Sequence, residues 1–112
     1  MFDNLISNAL KYTPEGGKVS LTTTRVGENA LIEVVDSGIG IPEAEQSQMF
    51  DSFFRSSNAR LAAIPGTGLG LVVTRGIVEG HGGTIGFEST EGVGTTFRVV
   101  IPLAPARHLA LV

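Results

Sequence analysis

The apolar positions of the chain follow a helical period at its start. Apolar side chains recur at helical spacing over residues 1–11, and Asn4, Asn8 and Lys11 fall on the opposite face, within about 60° of one another. A proline and two glycines within 14–17 end this predicted helix. Because the pattern is already running at the first residue with no N-cap before it, we expect the helix to begin upstream, so that the domain is N-terminally truncated.

The rest of the chain changes repeatedly between strand and helix patterns. The predicted elements are strands at 19–24 and 30–36, a short helix at 43–50, a helix from 68 to 80, and strands at 84–89 and 95–101. The first strand alternates as a half-buried strand does. This order favours an α+β fold, a two-layer α/β sandwich with helices on one face of a mixed, mostly antiparallel sheet.

The segment between the short helix and the last helix has no clear period. It spans residues 51–67, a length that in a compact domain is usually a functional lid or a mobile region. The positions predicted to share one face of the helix that follows are Leu69, Val72, Val73, Gly76 and Ile77.

Size and composition restrict the function. The 112 residues suit one domain, which we expect at 1–104, followed by a tail at 105–112. The absence of cysteine excludes thiol nucleophiles, thiolate metal sites and disulfides. A net charge of −3, with 8 basic residues spread along the chain, argues against nucleic acid. No apolar run approaches the roughly 20 residues that span a bilayer, so we expect a chain that does not itself cross a membrane. The lack of cysteine fits a reducing compartment, and we expect the domain in the cytoplasm, free or as the cytoplasmic portion of a membrane-anchored protein.

Two asparagines of the first helix form a candidate metal site. Asn4 and Asn8 are four residues apart and so present two amides on one face. An amide oxygen is a neutral hard ligand that suits Mg²⁺ beside phosphate oxygens. A solvated polar face, which every amphipathic helix needs, explains the same spacing.

An aspartate at the end of a predicted strand is a candidate for base recognition. Asp36 is followed by Gly38 and Gly40. An ionised carboxylate only accepts hydrogen bonds, so it favours the amino group of adenine over the O6 acceptor of guanine. A turn capped by its own aspartate side chain is the alternative.

A glycine-rich loop leads directly into the last helix. The run GTGLGL at 66–71 lets backbone N–H groups approach an anion, and the helix N-terminus adds partial positive charge. A polyphosphate is therefore a natural ligand. The run lacks the GK[ST] ending of a Walker loop, and a glycine-rich hinge is the alternative.

Five motifs in one order are far more specific than any of them alone. NLISNALKYTP, VVDSGIGIP, MFDSFFR, GTGLGL and GTTF resemble the successive motifs of the GHKL ATPase superfamily, specifically the catalytic ATP-binding domain of bacterial sensor histidine kinases. The resemblance covers residues 2 to about 102. It implies the Bergerat fold, ATP and Mg²⁺ as ligands, and transfer of the γ-phosphate to a histidine on a separate dimerisation domain, with a response regulator downstream.

The resemblance also implies which residues form the site. It places Asn8 on Mg²⁺, Asn4 and Lys11 by the phosphates, Tyr12 near the nucleotide and Asp36 on the adenine amino group. The other implied ATP-binding positions are Gly38, Gly40, Ile41, Gly66, Thr67, Gly68, Leu69, Gly70, Leu71 and Thr96. The positions that match the aromatic box beside the lid are Phe50, Phe53 and Phe54, of which we expect at least one to be ordinary core.

Charged and titratable side chains near the lid complete the predicted set. Arg55 and Arg60 flank the lid, where either is placed to reach the γ-phosphate as a charge-assisted donor or to face solvent. The acceptor histidine of the family belongs to another domain and is followed by an acidic residue. Glycine follows His81 and leucine follows His108, so we expect neither to be the acceptor.

The residue at position 4 bears on the chemistry. Several hydrolytic relatives in the superfamily carry Glu where this chain has Asn4, and an amide is not a useful proton acceptor near neutral pH. We therefore expect slow ATP hydrolysis and phosphoryl transfer to histidine, with Asn4, Lys11, Arg55 and Arg60 as the catalytic candidates. The alternatives are a non-catalytic, nucleotide-dependent regulatory module and a serine kinase or slow ATPase of the same superfamily.

Overall fold

One sheet and three helices make up the part of the chain that the computed structural model describes, namely residues 2–64, 66 and 68–103. The elements in chain order are α1 (Phe2–Tyr12), β1 (Val19–Val26), β2 (Asn29–Asp36), a 3₁₀ helix (Glu43–Gln48), α2 (Ser57–Leu61), α3 (Gly70–Gly80), β3 (Thr84–Thr90) and β4 (Gly94–Pro102). The predicted tail at 105–112, with His108, lies outside the described residues, as does Thr67.

The four strands form one antiparallel sheet in the order β1-β2-β4-β3. This arrangement confirms the predicted α+β class, with every described strand pair antiparallel. The register places Asp36, the last residue of β2, opposite Thr95 near the start of β4. The same register fixes which β4 side chains share a face with Asp36.

The core lies between the sheet and the two long helices. Its buried members are Leu5, Ala9, Ile32, Val34, Val78, Phe97 and Val99. Each fully buried aliphatic side chain contributes about 1.5–3 kcal/mol relative to exposure, so α1 and α3 are held mainly by this cluster. On α1 the buried Leu5 and Ala9 leave the polar face of that helix turned away from the core.

Helix α3 does not bury the face that its apolar pattern predicts. Its fully buried positions are Thr74 and Val78, whereas Val73 is 50 % exposed and Ile77 is 37 % exposed. Thr74 tolerates burial because its hydroxyl donates to the carbonyl of Gly70, 2.9 Å away within the same helix. A pattern that counts only apolar residues misses a buried threonine whose hydroxyl is hydrogen-bonded within its own helix.

Three other segments differ from their predicted form. Strand β1 was predicted to be half-buried, but it is exposed from Ser20 to Val26, and only Val19, at its start, packs against the core. The segment 51–67 contains α2, whose five residues are too few to show a period. The predicted helix at 43–50 is a 3₁₀ helix.

The exposed middle of α3 yields a prediction about stability. Replacing Gly76 with alanine should stabilise the fold by about 0.5–1 kcal/mol, because glycine is a poor helix former and a Cβ there meets nothing within 4 Å. Urea unfolding measures the difference. Gly83→Ala is the contrasting variant, since its Cβ would lie 2.3 Å from the Val100 carbonyl oxygen. A destabilised Gly76→Ala protein would contradict this account of α3.

Candidate functional site

A cleft opens where α1, the loop after β2, the lid segment and the start of α3 meet. It gathers twelve of the predicted catalytic and ATP-binding residues: Asn4, Asn8, Lys11, Tyr12, Asp36, Gly40, Ile41, Arg55, Gly66, Gly68, Gly70 and Leu71. Gly38, Arg60, Leu69 and Thr96 do not line it. Residues 2–103 thus bring together most of the predicted set from four distant parts of the chain.

The polar face of α1 and the start of α3 face each other across one end of the cleft. A Cβ placed on Gly70 would lie 3.9 Å from Cγ of Asn4 and 4.0 Å from Nδ2 of Asn8. The side-chain amides are therefore close to the N-terminal end of α3, where backbone N–H groups carry partial positive charge. Such an end of a cleft suits an anion with an associated cation.

Asp36 also lines the cleft and is only 8 % exposed. Its Oδ1 atom accepts hydrogen bonds from the backbone N–H of Gly38 at 2.8 Å and from that of Thr95 at 3.3 Å. Burial raises the pKa of the Asp36 carboxyl, and these two hydrogen bonds act in the opposite direction. The aspartate therefore caps its own turn and also lines the cleft, so the two interpretations of this residue are compatible.

The loop after β2 is fixed by close backbone approaches on both sides. A Cβ on Gly38 would lie 2.3 Å from the Tyr12 carbonyl oxygen, and one on Gly40 would lie 2.1 Å from that of Thr90. Gly40 also has a φ of +68°, which favours glycine. The backbone N–H of Ile39 donates to the Tyr12 carbonyl at 3.0 Å. Gly38 thus supports Asp36 from behind rather than lining the cleft.

Thr95 occupies the place that the sequence analysis gave to Thr96. Thr95 is 8 % exposed and lines the cleft beside Asp36. Successive side chains of a strand point to opposite faces, so Thr96 lies on the other face of the sheet. The sequence pattern does not give the register of β4 against β2, so it cannot separate Thr95 from Thr96. The other lining residues missed from the sequence are Ser7, Ala9, Ile39, Met49, Ser56 and Phe97.

The two lid arginines differ in position. Arg60 is exposed and away from the cleft, whereas Arg55 lines it. The Nε and Nη2 atoms of Arg55 are buried and have no hydrogen-bond partner among the described residues. A Cβ on Gly66 would lie 3.8 Å from Nε of Arg55. Because a buried guanidinium without acceptors is unfavourable, this side chain is suited to an anionic group brought into the cleft.

The three phenylalanines of the predicted aromatic box have different surroundings. Phe50 packs against the core, with its ring 6.1 Å from that of Phe87. Phe54 lines the cleft. Phe53 is 71 % exposed in a left-handed conformation with φ +66°, and its N–H donates to the Gly68 carbonyl at 2.8 Å. One of the three is therefore core, as expected, and another joins the lid to the glycine-rich loop.

The residues present fit a nucleotide with Mg²⁺ better than a metal held by the protein alone. Within residues 2–64, 66 and 68–103, no three His, Asp or Glu side chains are grouped to hold a metal ion. Mg²⁺ commonly takes only one or two protein oxygens together with phosphates and water. The amide of Asn8 beside the start of α3 matches that requirement. His81 hydrogen-bonds through Nδ1 to the Ile77 carbonyl at 2.8 Å, at the end of α3.

None of the helices in the described ranges has the length and apolar character needed to cross a membrane. This agrees with the short apolar runs of the sequence.

Comparison with known proteins assigns this cleft to a family. Residues 1–105 match the family described as histidine kinase-, DNA gyrase B- and HSP90-like ATPase. Sensor histidine kinase WalK of Bacillus subtilis is 46 % identical over 104 residues, which are 91 % of this chain and 17 % of WalK. Circadian input-output histidine kinase CikA of Synechococcus elongatus is 50 % identical over 99 residues, which are 88 % of this chain and 13 % of CikA.

A solved structure is similar to this chain in both fold and sequence. Mycobacterial sensor histidine kinase MprB superposes with a TM-score of 0.80 at 34 % identity, over 91 % of this chain and 69 % of that one. The chain therefore spans well under a quarter of WalK and CikA, and the part it spans is the ATPase domain.

Burial of Asp36 predicts a pH-dependent difference in stability. The pKa of the Asp36 carboxyl is higher in the folded state than its usual value of 3.8, so the protonated carboxyl favours folding. This contribution to the free energy of unfolding is fully present below pH 3.8 and is lost as the pH rises through the pKa of the folded state. Asp36→Asn keeps an oxygen for both N–H groups and removes the buried charge. The free energy of unfolding of Asp36→Asn should therefore rise relative to that of the parent as the pH increases above 3.8. Urea unfolding across that range measures it, and a difference independent of pH would contradict the assignment.

Proposed function

The chain belongs to the histidine kinase-, DNA gyrase B- and HSP90-like ATPase family and corresponds to the catalytic ATP-binding domain of sensor histidine kinases, and we propose that it transfers the γ-phosphate of MgATP to a histidine on a separate dimerisation and phosphoacceptor domain. One observation carries the proposal. The amides of α1, the carboxylate of Asp36, the start of α3 and the guanidinium of Arg55 line a single cleft.

The base end of the cleft suits adenine. Both hydrogen bonds that Asp36 accepts go to Oδ1, so Oδ2 is left for the exocyclic amino group of the base. Guanine presents an acceptor at the same place and would face the carboxylate unfavourably. Ile41 and Phe97 provide apolar surface nearby. We therefore assign base recognition to Asp36, supported by Gly38, Gly40 and Thr95.

The opposite end of the cleft suits the triphosphate. We assign the phosphates to Asn4, Lys11, Arg55 and the backbone from Gly66 to Gly70, with Thr67 in that loop as a prediction from the sequence. Asn8 would hold Mg²⁺ through its amide oxygen. The ion neutralises charge on the phosphates when bound. Cationic side chains and helix N–H groups around a transferring phosphoryl group stabilise it without covalent chemistry by the protein.

The chemistry requires no general base from this domain. A neutral imidazole attacks the γ-phosphorus with the lone pair of one ring nitrogen, the N–P bond forms, and the bond to the β,γ-bridging oxygen breaks as ADP leaves. Water, in contrast, must lose a proton to become a good nucleophile, and the Asn4 amide cannot take it. The domain is thereby suited to transfer rather than to hydrolysis. The phosphohistidine would then supply a response regulator, and we expect this sequence of reactions in the cytoplasm.

Incubation with ATP labelled at the γ-phosphate tests the proposed reaction. The purified chain is mixed with a separately expressed acceptor domain of a sensor histidine kinase, and we expect acid-labile label on the acceptor. Tight ATP binding without label on any cognate acceptor would instead support a regulatory binding module. Acid-stable label would indicate a hydroxyl acceptor, and rapid phosphate release would contradict the role given to Asn4.

The base assignment predicts a loss of selectivity. Asp36→Asn should weaken ATP binding and narrow the preference for ATP over GTP about tenfold, because an amide can rotate to offer a donor to guanine O6. Competition of ATP and GTP against a fluorescent nucleotide measures the ratio. Thr96→Ala, on the other face of the sheet, should leave the ratio unchanged. An identical ATP/GTP ratio in Asp36→Asn and parent would remove Asp36 from the base site.

A further inference from the structure

The lid helix α2 is attached at its first turn to the 3₁₀ helix that follows residues 37–42. These residues form the loop after β2, which we call the base loop. The backbone N–H of Ser57 donates to Oε1 of Glu45 at 2.7 Å, and the Ser57 hydroxyl donates to Oε2. Both carboxylate oxygens of Glu45 are therefore engaged by one residue of the lid. These bonds lower the pKa of the Glu45 carboxyl, so the charged form is the one that holds Ser57.

A second attachment joins the same helix to the base loop itself. Nδ2 of Asn58 donates to the Gly40 carbonyl at 2.9 Å and lies 3.4 Å from that of Ile39. Two neighbouring residues of α2 are thus attached separately: Ser57 to Glu45 of the 3₁₀ helix and Asn58 to the base loop. Ala59, the next residue, is 2 % exposed and adds a packing contact at the same end.

The base loop, whose Gly40 carbonyl accepts from Asn58, is itself hydrogen-bonded to the β3–β4 hairpin. Gly40 is confined by the Thr90 carbonyl, as described above, and the side chain of Gln46 donates to the carbonyls of both Ile41 and Ser89 at 3.1 and 3.0 Å. The backbone N–H of Ile41 donates to the Ser89 hydroxyl at 2.9 Å. The base loop is thereby bound to the β3–β4 hairpin, so a group attached to the loop is held relative to the sheet.

Arg55 lies two residues before α2, and its buried guanidinium nitrogens have no comparable hydrogen bonds within the described residues. Its buried Nε and Nη2 atoms donate to nothing in the described part of the chain. The position of its guanidinium therefore depends on its chain neighbours. The residue before it, Phe54, lines the cleft, and the residue after it, Ser56, lines the cleft and caps α2.

We propose that Asn58 and Glu45 are positioning residues that fasten the lid to the base loop and thereby hold Arg55 toward the terminal phosphate of the nucleotide. This inference rests on the proposed function, because it requires ATP in the cleft. It adds to that function a physical link between the two ends of the site. The link ties the segment that selects for a third phosphate to the segment that recognises the base.

The preference for ATP over ADP tests the link. Affinities of the purified chain for both nucleotides are measured with Mg²⁺ by calorimetry, for the parent, Asn58→Ala, Glu45→Ala and Arg55→Ala. Arg55→Ala should reduce the ATP/ADP preference about tenfold, as expected for a lost hydrogen bond to a charged group. Asn58→Ala and Glu45→Ala should each reduce it about three- to tenfold while the affinity for ADP stays within about twofold. Unchanged ADP binding also shows that the cleft of each variant is folded.

Double variants separate positioning from general damage. In the Arg55→Ala background, Asn58→Ala should have no further effect on the ATP/ADP preference, because the group it positions is gone. Glu45→Gln retains an acceptor for the Ser57 N–H and a donor for its hydroxyl, so it should restore most of the preference. Glu43→Ala, two residues away on the exposed side of the 3₁₀ helix, is the matched control and should behave as the parent.

The contrary outcomes are distinguishable from failure of the proposed function. A parent protein that binds neither nucleotide would overturn the function itself. Tight ATP binding with an ATP/ADP preference that Asn58→Ala and Glu45→Ala leave intact would overturn only the link. Equal loss of ATP and ADP affinity in both variants, additive with Arg55→Ala, would show a structural role and also overturn it.

Discussion

The site depends on the pairing of the end of β2 with the start of β4. Asp36 and Thr95 are register partners, and the Thr95 N–H reaches the Asp36 carboxylate. The strands approach this closely because position 94 is glycine, where a Cβ would lie 2.1 Å from the Asp36 carbonyl oxygen. A shift of one residue in this register would turn either Asp36 or Thr95 to the other face of the sheet. Every other part of the cleft is arranged around this pair.

The proposed anion site lies in a chain of net charge −3, so it depends on the local arrangement of side chains rather than on overall charge. Lys11 and Arg55 line the cleft together with the amides of α1 and the start of α3, whereas the acidic Glu33 and Glu88 pair with Arg98 on the sheet, outside the cleft. Among the described residues, Asp36 is the one acidic side chain that lines the cleft. Under the proposed function, the cationic side chains would face the phosphates and the Asp36 carboxylate would face the base, so that binding needs no overall basic surface.

Local pattern was enough for the parts of the site that lie within one element. The face of α1 with Asn4, Asn8 and Lys11 follows from helical spacing, and the glycine-rich approach to α3 follows from composition. The parts that depend on pairing between elements were not predictable in this way. Thr95 replaces Thr96 because strand register decides the face, and α3 buries Thr74 because an internal hydrogen bond satisfies its hydroxyl. The attachments of α2 join residues distant in sequence through side-chain contacts that no period reports.

The base loop and the lid are held by different kinds of interaction, and this difference bears on how the site works. The loop approaches the backbone of α1 and of the β3–β4 hairpin so closely that a Cβ at Gly38 or Gly40 would clash with it. The lid is held by hydrogen bonds that Ser57 and Asn58 donate, and water can replace each of them when the lid moves. These hydrogen bonds are separate from the backbone contacts that confine the loop. Under the proposed function, the loop that recognises the base would stay in place while the lid moves to admit ATP and release ADP.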